Sequence, residues 1–150
     1  QIVVDVGAGS SPIGYHLAES SHAQAYVAVE PYYPDITEYE FQHPILAFRD
    51  FANPKAKKIP VAIAPEDMLT FLKRLPDHSV SLIVGGIDET IISKEYANEV
   101  TTEMERVLHS EGAIVEHDSI IPMGGKFTKI RNAKEDGWIH GAILTREQPK

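Results

Sequence analysis

At 150 residues the chain has room for one compact domain and not two, since a unit of that size buries about 70% of the surface its unfolded form exposes. A hydrophobic fraction of 43% and a charged fraction of 24% are ordinary globular values and exclude a disordered or fibrous chain. The net charge of −8, with basic residues scattered apart from Lys55, Lys57 and Lys58, argues against a nucleic-acid partner, and the absence of cysteine removes disulfides, thiolate metal sites and cysteine nucleophiles.

No apolar run approaches the roughly 18 to 20 residues that span a bilayer, and none has the layout of a signal peptide. No membrane partner is expected, and the expected location is cytoplasmic. The chain opens inside an apolar run, Ile2-Val3-Val4, so a segment upstream of Gln1 is expected.

Short buried runs alternate with longer amphipathic stretches, the pattern of βαβ units around a parallel sheet. A strand is predicted over Ile2 to Val6, then a glycine-rich turn and a helix from Pro12 to Ser20, with Pro12 suited to the first helical turn. Ala25 to Val29 reads as a second strand, which Pro31 and Pro34 end. Residues 32 to 60, punctuated by proline, read as loops around an irregular crossover helix. Val61 to Ala64 is a third strand, and Met68 to Leu75 a short helix with Asp67 as its N-cap. After the turn residues Pro76 to Ser79, Val80 to Val84 makes a fourth strand, central because nearly every position is apolar. Tyr96, Val100, Met104 and Val107-Leu108 mark a helix over Ser93 to His109, with Ser93 as N-cap and Gly112 just past its end. Ala113 to Glu116 is a fifth strand. Phe127 to Ile130 and Trp138 to Leu144 are two more, with Arg131 to Gly137 as a hairpin connection.

The turn after the first strand carries the chemistry. In Asp5-Val6-Gly7-Ala8-Gly9-Ser10-Ser11-Pro12-Ile13-Gly14, Gly7 and Gly9 permit a tight bend and close approach of a ligand to bare backbone. The helix that follows offers unpaired N–H groups to a polar ligand. Glu30 ends the second strand about 20 residues later, where a carboxylate accepts hydrogen bonds from both hydroxyls of a ribose. A dinucleotide fingerprint needs a third glycine where Pro12 stands, and the match fails there.

With Asp5, Gly7 and Gly9 in that order, the chain resembles the class I S-adenosylmethionine-dependent methyltransferases, whose last motif glycine corresponds to Ser11. The resemblance runs through Tyr26-Val27-Ala28-Val29-Glu30-Pro31, through Pro65-Glu66-Asp67-Met68 with Phe71 to Pro76, through Asp77 to Gly86, and through Met104 to Gly112. It implies an α/β fold: a Rossmann-like doubly wound sheet, mostly parallel, with a C-terminal antiparallel hairpin, forming a single domain over residues 1–150. It implies S-adenosyl-L-methionine as cofactor, held by Asp5, Gly7, Ala8, Gly9, Glu30, Pro31, Asp67, Met68 and Gly85. Asp67 would contact the adenine amino group and Met68 N–H the ring, a role that competes with the helix cap.

The expected activity is methyl transfer to a small-molecule or protein acceptor. Candidate bases are Asp88, after the fourth strand, and His117, after the fifth, because ligands of open α/β sheets bind beyond the carboxyl ends of the strands. Asp88 with Glu89 also reads as a charge pair at a helix N-terminus, and His117 as a plain loop histidine. Tyr32 and Tyr33 are placed to wall an adenosine pocket or simply to pack. No metal is expected. Two other functions fit the same pocket: a regulatory module that binds the cofactor without turnover, and a nicotinamide-dependent oxidoreductase.

Overall fold

A computed structural model describes residues 1–9, 13–33, 46, 55, 57–85, 92–117, 127–132 and 141–146. Its strands are β1 (Ile2–Val6), β2 (Ala25–Val29), β3 (Val61–Ala64), β4 (Val80–Gly85), β5 (Leu108–His117), β6 (Phe127–Asn132) and β7 (Gly141–Arg146). The described helices are α1 (Ile13–Ser20), α2 (Met68–Lys73) and α3 (Lys94–Val107). The strands join one sheet in the order β3-β2-β1-β4-β5-β7-β6. From β3 to β5 every neighbouring pair is parallel, and β7 pairs antiparallel with both β5 and β6. The connection between β6 and β7 lies outside the described residues, as do Pro12 and nearly all of the expected crossover region between Pro34 and Ala56.

The sheet is covered on both faces, and β1 shows why. Side chains alternate along a strand, so Val3 joins one apolar cluster while Val4 and Val6 join another. The first cluster packs Tyr15 and Ala18 of α1 on Tyr26, Ala28 and Val84. The second packs Phe71 and Leu72 of α2 and Val100, Met104 and Val107 of α3 on Val29, Ile83 and Ile114. Strands buried on both sides have no polar face to advertise, which accounts for the mainly apolar β1 and β2, where Asp5 is the one charged residue. Among the described residues, no helix is long and apolar enough to cross a membrane.

Several boundaries differ from expectation: β4 and β5 end one residue later, at Gly85 and His117, and β6 runs to Asn132, taking in Arg131 and Asn132 that were expected in the connection. Helix α3 stops at Val107 and β5 begins at Leu108, whereas periodicity carries the helix to His109 and begins the strand at Ala113. Leu108 is fully buried and extended (φ −70°, ψ 128°), and its N–H closes the last helical turn on Met104 O. It pairs with Val80, and Ala113 with Leu82, so β5 advances five residues where β4 advances two. The exposed His109, Ser110 and Glu111 lie in that bulge. Helix α2 ends at Lys73 rather than Leu75, because the Arg74 N–H turns back to Phe71 O and Leu72 O. Strand β7 runs on to Arg146, past the expected end at Leu144, its register with β5 running from Gly141 to Thr145, while Trp138 lies outside the described residues.

Candidate functional site

The five parallel strands present their carboxyl ends at one edge, and the described candidate residues lie at or just beyond those ends. The Gly7 and Ala8 N–H groups both donate to Val29 O, at 2.8 and 3.1 Å. The turn after β1 is therefore laid against the end of β2, immediately beside Glu30. Gly7 and Gly9 adopt positive φ, 68° and 53°, a region that costs an L side chain about 1 to 2 kcal/mol. Among the described residues, nothing lies within 4 Å of where a Cβ on Gly9 would stand. Among the described residues, backbone conformation rather than crowding demands glycine at that position.

Beneath the turn lies Asp5, 1% exposed. Tyr26 OH donates to its Oδ2 at 2.5 Å, and among the described residues Oδ1 has no hydrogen-bond partner. Burial pushes the carboxyl up to about 7; the Tyr26 bond pulls the other way, and the Glu30 charge adds to the rise. A Cβ on Gly14 would collide with Oδ2, so this glycine lets α1 close down over the carboxyl. Burial, aided by the Asp5 charge, raises Tyr26 far above the usual phenol range. Its ring meets that of Tyr15 edge-on at 5.7 Å.

Glu30 is half-buried at the end of β2, and its Oε1 accepts the Tyr32 N–H at 3.2 Å. Its own N–H is held by Ala64 O at 3.1 Å, which ties the end of β2 to that of β3. Pro31 is exposed, as is Tyr32 at 88%. Tyr33 turns inward, and its hydroxyl donates to Gly9 O at 2.6 Å. Burial and the charges of Asp5 and Glu30 hold this phenol above its usual range.

Asp67 caps α2: Oδ1 accepts Thr70 N–H at 2.9 Å and Tyr96 OH at 3.2 Å, and Oδ2 accepts Thr70 OH at 2.6 Å. These bonds hold the carboxyl below the usual carboxylate range. Met68, the first residue of α2, packs against the core.

Gly85 is buried at the end of β4, where a Cβ would strike Val6. Close approach of β1 is thus reason enough for glycine there. His117 ends β5, its backbone in register with Gly141, and its side chain lies outside the described residues, as does all of Asp88. Among the described residues no group of three His, Asp or Glu side chains is arranged to hold a metal. Sequence reasoning misses two partners, Tyr26 and Gly14. A large phenol in a strand otherwise built of Ala and Val is the available signal for Tyr26. A cleft of about 520 Å³ opens at the opposite edge, lined by Gln1, Ser21, His78, Ser81, His109 and Glu111 among others, and none of the candidate residues reaches it.

A glycine turn and an acid side by side at the carboxyl edge, on a sheet of order β3-β2-β1-β4-β5-β7-β6, give the chain the Rossmann-like fold of class I S-adenosylmethionine-dependent methyltransferases. In particular, it is similar to the Burkholderia thailandensis 1,6-didemethyltoxoflavin-N1-methyltransferase, solved with 1,6-didemethyltoxoflavin and S-adenosylhomocysteine, at TM-score 0.59 and 12% identity over 99% of this chain and 71% of that one. A candidate type 11 methyltransferase from Sulfolobus solfataricus aligns at TM-score 0.55 and 15% identity, over 99% of this chain and 85% of that one. A SAM-dependent methyltransferase from Archaeoglobus fulgidus aligns at TM-score 0.51 and 16% identity over 77% of this chain, which spans only 43% of that protein's length. At these identities the likeness is one of fold. No family model and no curated protein matches the sequence.

Proposed function

We propose that the chain is a single S-adenosylmethionine-binding domain, residues 1–150, that transfers methyl groups to a small-molecule acceptor. The observation that carries this reading is the pairing of Gly7 and Ala8 N–H with Val29 O, which sets the glycine turn next to Glu30. The order of strand ends then suits one extended ligand. Met68 N–H and the Asp67 carboxylate would take adenine beyond β3, Glu30 would take the ribose hydroxyls beyond β2, and the turn from Gly7 to Gly9 would take the remaining arm beyond β1. A hairpin formed by β6 and β7 would complete the sheet, as the fold implies. The cytoplasmic expectation stays with this reading.

When bound, the cofactor supplies a methyl group activated by a sulfonium. What this chain must add is position: an acceptor atom held about 3 Å from the methyl carbon, with water excluded. Asp88 and His117 stand beyond β4 and at the end of β5 in sequence, where an acceptor would approach, and either would serve as base for an acceptor that must lose a proton. The neighbour holding 1,6-didemethyltoxoflavin supports a small molecule in preference to a protein. The test is turnover. Release of S-adenosylhomocysteine that depends on an added acceptor supports the enzyme, and tight cofactor binding without release across a broad acceptor panel points to a regulatory module.

A further inference from the structure

Asp5 and Tyr26 form a buried pair that simple packing does not explain. An unpaired carboxyl is costly in an apolar interior, and an alanine or serine would fill the same strand position without that cost. Yet the carboxyl is kept out of solvent, Gly14 leaves room for it, and one of its two oxygens is fixed by a phenol from the neighbouring strand. The other oxygen has no partner among the described residues. The glycine turn begins two residues further along the chain.

We infer that Tyr26 is a positioning residue that fixes Asp5 as a proton-linked seat beneath the glycine turn, so that affinity for a ligand carrying a cation at that turn rises with pH. This rests on the proposed cofactor site, whose strand order brings the ammonium-bearing amino-acid arm to β1. A cation there stabilises the ionised carboxyl and does nothing for the neutral one, so binding of the arm and loss of the proton favour each other. Among the described residues, the ionisable groups around the carboxyl are Tyr26 from β2 and Glu30 and Tyr33 from the segment beyond it. Helix α1 presents Gly14, and β4 presents Val84 in register, neither of which ionises. The Glu30 charge works against ionisation and the Tyr26 bond works for it. Tyr26 thereby sets the pH at which the seat becomes charged.

The experiment is a calorimetric titration of the whole chain with S-adenosylhomocysteine and with methylthioadenosine, which lacks the amino-acid arm, from about pH 5.5 to about pH 8. S-adenosylhomocysteine should bind roughly tenfold more tightly at the upper end, as expected of a cation that lowers the Asp5 pKa by about one, while methylthioadenosine stays level. Tyr26→Phe should move the rise to higher pH, and Asp5→Asn should abolish it. Carboxyl-carbon NMR of the ligand-free protein should likewise show Asp5 titrating at higher pH in Tyr26→Phe. Tight but pH-independent binding of S-adenosylhomocysteine, or a rise unmoved in Tyr26→Phe, overturns the linkage alone. Binding of neither ligand at any pH overturns the cofactor site and the linkage with it.

Discussion

The hydroxyl of Tyr33 donates to the carbonyl of Gly9 across 2.6 Å, so the segment following β2 is latched onto the turn following β1. The two segments that would enclose a ribose are therefore fixed relative to each other before any ligand arrives, and less ordering remains to be done on binding. Tyr33→Phe should cost about 0.5 to 1.5 kcal/mol of folding stability, the net value of one hydrogen bond, measured by denaturant unfolding. It should also weaken S-adenosylhomocysteine binding several-fold. Unchanged affinity would show that the latch is only structural.

The Asp5 carboxyl gives the fold a pH signature. Its value is raised from 3.8 to about 7, so below about pH 4 the folded and unfolded chains both hold the proton. Between those values the unfolded chain releases it first, and stability falls as pH rises, by about 4 kcal/mol in all at roughly 1.36 kcal/mol per pH unit. Above about pH 7 this contribution is fully lost. Asp5→Asn removes the titrating group, so the difference in unfolding free energy between variant and parent should grow in favour of the variant from pH 4 to pH 7. A constant difference across that window would show that the carboxyl is not perturbed.

Two glycines on either side of that carboxyl should respond in opposite ways. Gly9→Ala meets no described atom within 4 Å and suffers its positive φ, so a stability loss of about 1 to 2 kcal/mol is expected, accompanied by a larger proportional loss of cofactor affinity. Gly14→Ala drives a methyl into Asp5 Oδ2, so overpacking of about 1 to 3 kcal/mol should appear in stability first. Paired denaturant and calorimetric titrations separate the two outcomes.

Arg106 joins the two helices on the face away from α1. Its guanidinium donates to Leu72 O at 2.9 Å and Leu75 O at 2.8 Å while pairing with Asp77 and Glu103. It thus adds a side-chain donor to Leu72 O, which also accepts the Leu75 N–H at 3.0 Å, and holds Leu75 O just past the end of α2. Arg106→Ala should lower stability by about 1 to 3 kcal/mol in thermal unfolding. Arg106→Lys should recover little of that, since a single ammonium cannot span both carbonyls and both carboxylates.

The sequence was most informative where one physical demand dominated. Strands β1, β2 and β3 were legible to the residue because each reads as a short, mainly apolar block cut off by turn residues. The caps of α2 and α3 were legible for the same local reason: Asp67 and Ser93 accept Thr70 N–H and Tyr96 N–H. Leu108 was misplaced because it fits the helical spacing of Val100, Met104 and Val107, and its burial suits a helix and a strand equally. At the site, Gly7, Gly9 and Glu30 follow from backbone geometry and spacing. The Tyr26–Asp5 bond does not, since it depends on a strand register linking residues 21 apart. Tyr33 was visible as an aromatic at a strand end, but its partner is a main-chain carbonyl, which leaves no trace in residue type.

The most direct measurement is calorimetric titration of the chain with S-adenosylhomocysteine and NAD, repeated on Glu30→Ala. S-adenosylhomocysteine should bind in preference to NAD, and Glu30→Ala should weaken it by about 1.5 to 3 kcal/mol, the value of hydrogen bonds to a charged acceptor. Preference for NAD, or an affinity indifferent to Glu30, would contradict the assignment of the crevice between the glycine turn and β2.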